Sequence, residues 1–192
     1  MKFGFHYSVE TELNRVRYTL GKRDFFKQNN YKPRLPSGFD LEAKDAEMMT
    51  SQIELELELE KTKKLQAKIL NEWQECETDI SQYLMSFGLP VPPAIDIFLT
   101  KYGVGGSYWP PNRIILNMAT DKRDPFLTLV HELIHLVIQA PIIDGFNLEH
   151  WDKESLVDYQ FMTNPTLKRI FPNYSYQRQA PSKLLLKKVG WL

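Results

Sequence analysis

The sequence predicts an α+β chain in which a helical N-terminal region precedes a few short strands and two helices that carry the chemistry. Three observations point that way. Residues 41 to about 86 contain no Gly or Pro and are rich in Glu, Lys, Leu, Gln and Met, a strong helix composition. Residues 94 to 118 fall into short runs of strand-like residues separated by Gly and Pro, the pattern of strands and turns. From Asp124 onward the apolar positions lie nearly all round a helix, which marks a buried one.

Taken in order, Val9 to Leu20 suits a helix, and Asn29 to Gly38, with two prolines, two asparagines and a glycine, is a loop. The rest of residues 1 to 40 carries little pattern. Ile53 to Glu60 alternates with period two, which by itself reads as a strand. The helical flanks, and Leu65, Ile69 and Trp73 at spacing four, favour helix instead. The charge run is read as a solvated helix packed on the domain rather than a partner-binding arm. Gly88-Leu89-Pro90-Val91-Pro92-Pro93 is the clearest boundary. It divides the chain into a mostly helical region, residues 1–90, packed on or appended to a core, residues 91–192, that includes a C-terminal segment.

Beyond the boundary, Ala94 to Leu99 reads as a strand and Lys101 to Gly106 as a turn with three glycines. Ser107-Tyr108-Trp109 is stopped by Pro110-Pro111, and prolines belong at sheet edges, so it is expected to be an edge strand. Arg113 to Met118 is the next strand. Asp124-Pro125 opens a helix with Asp at the N-cap and Pro at the first helical position. That helix is expected to stop before Pro141. A second begins near Leu148 to Asp152, includes Glu154 to Phe161, and ends or bends at Asn164-Pro165.

Composition bounds the function. With 43% hydrophobic and 25% charged residues and a formal net charge of zero, the chain is ordinary globular material without the basic excess of a nucleic-acid binder. The single cysteine, Cys76, excludes an internal disulfide framework and a cysteine-built zinc site. Its acidic neighbours raise a thiol pKa and make it an unreactive bystander. Met1 to His6 has no apolar signal core, and no run approaches the roughly 18 apolar residues of a membrane span. A cytosolic protein with no membrane contact is expected, although leaderless export would leave no trace.

The chemistry sits in His131-Glu132-Leu133-Ile134-His135. Histidines four apart leave one helix face a turn from each other and can grip one metal ion. Glu132 is rotated about 100° away, so it can approach a metal-bound water without being a ligand. Two histidines and a glutamate buried together would cost several kcal/mol unless something pairs them, and a divalent cation does so. A catalytic zinc needs a third protein ligand. The metzincin pattern would place glycine at position 138 and histidine at position 141; this chain has Ile138 and Pro141. His150, Glu154 and Asp158 remain. Glu154 and Asp158, four apart, share a helix face. Glu154 is preferred as the ligand, with Asp158 accepting the free ring N–H of a ligand histidine and His150 as the alternative.

His131-Glu132-Leu133-Ile134-His135, followed after 18 residues by Glu154-Ser155-Leu156-Val157-Asp158, resembles the gluzincin clan of zinc peptidases, in its compact thermolysin-like forms. The resemblance covers residues 94 to 160 and takes in Gly105 to Trp109. It implies a zincin-like small mixed sheet with an edge strand packed on the HExxH helix and a following glutamate helix. It also implies one zinc per chain on His131, His135 and Glu154, Glu132 as general base, and Asp158 behind a ligand histidine.

The expected activity is that of an endopeptidase, peptide-bond hydrolysis through a metal-activated water with Glu132 as base. The substrate would be a peptide or protein in extended conformation, added to the edge strand around Ser107 to Trp109. Tyr108, His150, Tyr159, Tyr174, Tyr176 and Arg178 are the candidate oxyanion donors, with Tyr108 and His150 also taken as substrate-binding. Two other readings stand beside this one: a latent or inactive zincin whose segment Phe171 to Arg178 fills the cleft, and an interaction protein with a structural zinc.

Overall fold

The computed structural model describes residues 1–43, 45–118, 124–176 and 179–192. Its architecture is α+β, built on a four-stranded mixed sheet. The strands β1 (Lys2–His6), β2 (Ala94–Thr100), β3 (Gly106–Trp109) and β4 (Arg113–Asn117) lie in the order β1-β2-β4-β3. β1 and β4 run parallel to β2, while β3 runs antiparallel to β4. β3 therefore forms an edge, as its prolines suggest.

The reading of the sequence misses β1. Lys2-Phe3-Gly4-Phe5-His6 alternates with period two, and its Phe3 ring meets Trp73 edge-on at 4.7 Å. The two phenylalanines were a legible signal, too short to stand out against a segment with no other pattern. The N-terminal ninety residues are thus not helix alone: their first strand is the opposite edge of the sheet.

Helix α1 (Val9–Gly21) starts at Ser8, whose hydroxyl accepts from Thr11 N at 3.1 Å. α2 (Arg23–Gln28) follows it. The helix expected over 41 to 86 is divided into α3 (Thr50–Leu55) and α4 (Leu59–Met85), with a one-turn 3₁₀ segment, Glu47–Met49, before them. Tertiary bonds hold the break open. Glu56 accepts from Ser37 N at 2.8 Å and Tyr102 Oη at 3.0 Å, Lys101 Nζ reaches Glu58 Oε1 at 2.9 Å, and Glu58 N donates to Tyr7 Oη at 3.1 Å. The period-two run is neither strand nor continuous helix because its glutamates serve these partners.

The main core places Ile69, Trp73, Ile80 and Leu84 of α4 against Ile95, Ile97 and Leu99 of β2, Ile114 and Leu116 of β4, and the next helix, α5 (Pro125–Ile138). Burying each such side chain contributes about 1.5–3 kcal/mol. A smaller core joins Leu13, Val16 and Leu20 of α1 to Met49, Ile53 and Tyr102.

α5 begins as expected: Asp124 Oδ1 accepts from Phe126 N at 2.7 Å, with Pro125 in the first turn. Its α-helical part ends at Ile138, before Pro141 as expected, but the helical path does not end there. It widens into a π-helical turn, Gln139–Asp144, because Pro141 has no N–H for an α-helical bond and its ring would strike the carbonyl four residues back. The continuous segment Pro125–Asp144 is 20 residues long and contains an 18-residue stretch of mean hydropathy 1.7. By length and composition it could cross a membrane, which corrects the expectation that no run approaches that size. Here 78% of that stretch is buried inside the protein, as befits a core helix. α6 (His150–Thr163), α7 (Pro165–Ile170) and α8 (Lys183–Lys188) complete the chain. Cys76 is a half-buried free thiol pushed up first by burial and then by Glu75 and Asp79.

Glu12 on α1 is buried at 1% exposure and accepts from Lys101 N at 2.8 Å. Burial raises its carboxyl from 4.5 to about 7, against the opposing bonds from Lys101 and Tyr7. A folded-state pKa above the unfolded value means that the native state holds its proton more tightly. Stability contributed by this group is therefore full below pH 4.5, declines as pH rises, and is lost by about pH 7, a change of up to about 3 kcal/mol. Chemical denaturation of wild type and Glu12→Gln across pH 4 to 8 is expected to show the decline in wild type, and a flatter profile with higher stability at pH 8 in the variant. Parallel profiles would assign the pH dependence to other groups.

Candidate metal centre and cleft

α5 carries His131, Glu132 and His135 into a buried position, at 2%, 6% and 0% exposure. α6 brings Glu154 against them. His131 Nε2 lies 3.1 Å from His135 Nε2 and 3.1 Å from Glu154 Oε2, and His135 Nε2 lies 3.4 Å from Glu154 Oε1. The donor atoms of the three residues all fall within 4.8 Å of one another. A tetrahedral ion with ligands at about 2.0–2.1 Å has donor-to-donor edges of about 3.3–3.4 Å, so the group has the size such an ion needs. Burial by itself would raise the Glu154 carboxyl. The charge on His135, hydrogen bonds from both rings and the charge on His131 override it and hold the carboxyl well below its ordinary range.

Glu132 is outside the three-donor group, and its carboxylate lies against the edge strand. A Cβ on Gly106 would stand 2.3 Å from Glu132 Oε1 and 2.7 Å from Thr128 Cγ2. The glycine at the start of β3 is what leaves room for this carboxylate.

A cleft of about 760 Å³ opens over these groups. Its floor is α5, and β3 and α6 form two of its sides. The third side comes from the N-terminal region: Arg15 and Tyr18 of α1, Lys22 between α1 and α2, Phe25 and Phe26 of α2, and Tyr31. Nothing in the spacing of those residues announces this role. The Arg15 guanidinium donates to Val104 O at 2.8 Å and to Ser107 Oγ at 3.1 Å, tying the loop before β3 in place. Gly103 accommodates it with φ +79°, where a Cβ would lie 2.3 Å from Arg15 Nε. Tyr31 stacks on Trp151 with centroids 6.1 Å apart, its hydroxyl 3.2 Å from His150 Nε2, and Trp151 Nε1 donates to Asn29 Oδ1 at 3.1 Å. The loop after α2 is thereby docked onto α6.

The other expected residues divide sharply. Tyr108 lines the cleft with its ring stacked on His135, centroids 4.8 Å apart and planes 6° apart, and its hydroxyl donates to Gln139 Oε1. Burial first, and then the charges of Glu132, Glu154 and Asp144, raise its phenol. His150 also lines the cleft, with Nδ1 3.8 Å from Glu154 Oε1. It stands beside the three-donor group rather than in it. Asp158 is buried at 1% exposure one turn beyond Glu154 and accepts from the Tyr174 hydroxyl. Tyr174 stacks on Phe161 and Tyr159 on Trp191. Neither of them, nor Tyr176, is among the residues that line the cleft. Arg178 lies outside the described residues.

Among the described residues, none from 164 to 192 lines the cleft. Gln179 to Ser182 instead border a second pocket with Trp151, Ser155 and Asp158 on α6. Leu167, Tyr174, Leu185, Leu186 and Val189 belong to the main core, so removing this tail would strip the fold as well as any cover over the site.

In comparisons with protein-family models, curated proteins and solved structures, nothing matches the chain.

Proposed function

We propose that the chain is a zincin-like peptidase holding one zinc ion on His131, His135 and Glu154 and hydrolysing peptides bound in extended form. The observation that carries this reading is the tetrahedron-sized group of two imidazoles and a carboxylate, with Glu132 beside it under Gly106. Bound there, zinc supplies a Lewis acid for the scissile carbonyl and brings the pKa of a water toward about 7.

The chain's own groups do the rest. Glu132 removes a proton from the attacking water and delivers it to the leaving amine, so that one water is consumed and one peptide bond is broken. The edge of β3 offers main-chain hydrogen bonds to a peptide laid alongside it. Tyr108 and His150 line the cleft and are the candidate donors to the developing oxyanion, Tyr108 by turning its proton from Gln139 Oε1. The N-terminal wall, from Arg15 to Tyr31, excludes water from the opposite side, a role for part of the region that the resemblance leaves out.

The test is a peptide-library digest with the zinc-loaded protein, in parallel with a chelator-treated sample. Cleavage that stops on chelation and returns with zinc is expected; no cleavage in either sample counts against a peptidase. The ligand assignment has its own check in zinc titrations. Glu154→Ala is expected to weaken zinc by more than about 100-fold, and His150→Ala, acting from outside the donor set, by about tenfold. The reverse order would make the site a three-histidine one.

A further inference from the structure

We infer that the Tyr108 end of the cleft is a receptor for a substrate carboxylate, built by Lys153, Tyr108 and Gln139; this rests on the peptidase reading of the same cleft. Lys153 is half-buried and lines the cleft on α6, one position before Glu154. Its ammonium donates to Tyr108 Oη at 3.3 Å and stands 5.2 Å from the centre of that ring. Among the described residues no carboxylate oxygen lies within 4.0 Å of it. The carboxylates of Glu132, Glu154 and Asp144 act on the same phenol from farther off, so a ligand carboxylate would give this half-buried cation its first direct ion pair.

The neighbours fit that partner. Gln139 adds an amide donor beside the ammonium, and the Tyr108 hydroxyl, which accepts from Lys153 and donates to Gln139 Oε1, links and orients the two. Asp144 accepts one Gln139 proton, Nε2 to Oδ1 at 2.6 Å, and fixes the amide. The remaining donors come from α6 and the turn after α5, and they meet where the Tyr108 ring of β3 covers His135. A peptide lying along β3 therefore reaches this end within a residue or two of the zinc donors. Two sources supply the carboxylate: the C-terminus of a short peptide, which would make the enzyme remove residues from chain ends, or an Asp or Glu side chain within a longer one.

The experiment uses zinc-loaded protein and three forms of one peptide, Ala-Gly-Phe-Leu-Ala: free C-terminus, C-terminal amide, and amide with Glu as the last residue. Affinity is read calorimetrically with Glu132→Gln, which binds without turnover, and cleavage with wild type. The free acid is expected to bind at least about tenfold tighter than the plain amide, as loss of a charge-assisted contact implies. Lys153→Met should erase that difference and Lys153→Arg should retain most of it, with zinc content unchanged in both. Recovery of affinity by the Glu-ending amide supports the side-chain source; no recovery supports the chain terminus. Equal affinity for all three forms, or a preference surviving in Lys153→Met, would overturn the inference. Equal cleavage of free and amidated peptides would do so while leaving the peptidase reading intact. Selective binding of the free acid without cleavage would keep the carboxylate site and end the peptidase reading.

Discussion

His131→Ala and His135→Ala are each expected to leave the purified protein with little or no zinc, against about one ion per chain in wild type. The two rings supply donors 3.1 Å apart on one helix face, and a zinc site reduced to two protein ligands no longer closes around the ion. Stability should fall in the same variants when compared in the presence of zinc, because a ligand that binds only the native state adds its binding free energy to folding. The apo proteins should differ less, since in each variant the remaining ring still pairs with Glu154. Elemental analysis and thermal unfolding with and without zinc give both answers. Full zinc retention by both variants would remove the basis of the site.

Glu132→Gln separates an enzyme from a protein with structural zinc. The glutamine keeps the shape of the side chain under Gly106 and removes the base. Zinc content and thermal stability should stay near wild type, because the carboxylate lies against Gly106 of the edge strand and is outside the three-donor group. Peptide cleavage should fall by about 10²- to 10⁴-fold, the usual contribution of a general base. Unchanged cleavage would place the proton transfer elsewhere. Loss of zinc would make Glu132 part of the ion's own setting.

The sequence makes the local elements of the site legible and hides its enclosure. The spacing of His131 and His135, the Asp124-Pro125 start of α5, and the proline-bounded β3 are short-range signals, and each appears where the pattern places it. Glu154 could be singled out because four-residue spacing on α6 is also local. The N-terminal wall could not. Arg15 lies 87 to 92 residues from the groups it holds, and Tyr31 lies 119 residues from His150. No periodicity connects positions so far apart; only the folded chain does. The break between α3 and α4 is hidden for the same reason, since Glu56 and Glu58 have excellent helix propensity and are drawn out of it by Tyr7, Ser37 and Lys101. Lys153 reads in the sequence as one more helix-surface cation, and its place over Tyr108 depends on β3 and α6 meeting across α5.

The most direct test of the central claim is anomalous diffraction from crystals of the zinc-loaded protein, collected on both sides of the zinc absorption edge. The expected result is one peak within about 2.0–2.2 Å of His131 Nε2, His135 Nε2 and a Glu154 carboxylate oxygen. A zinc-loaded crystal with no peak there, or with its zinc bound through other residues, would contradict it.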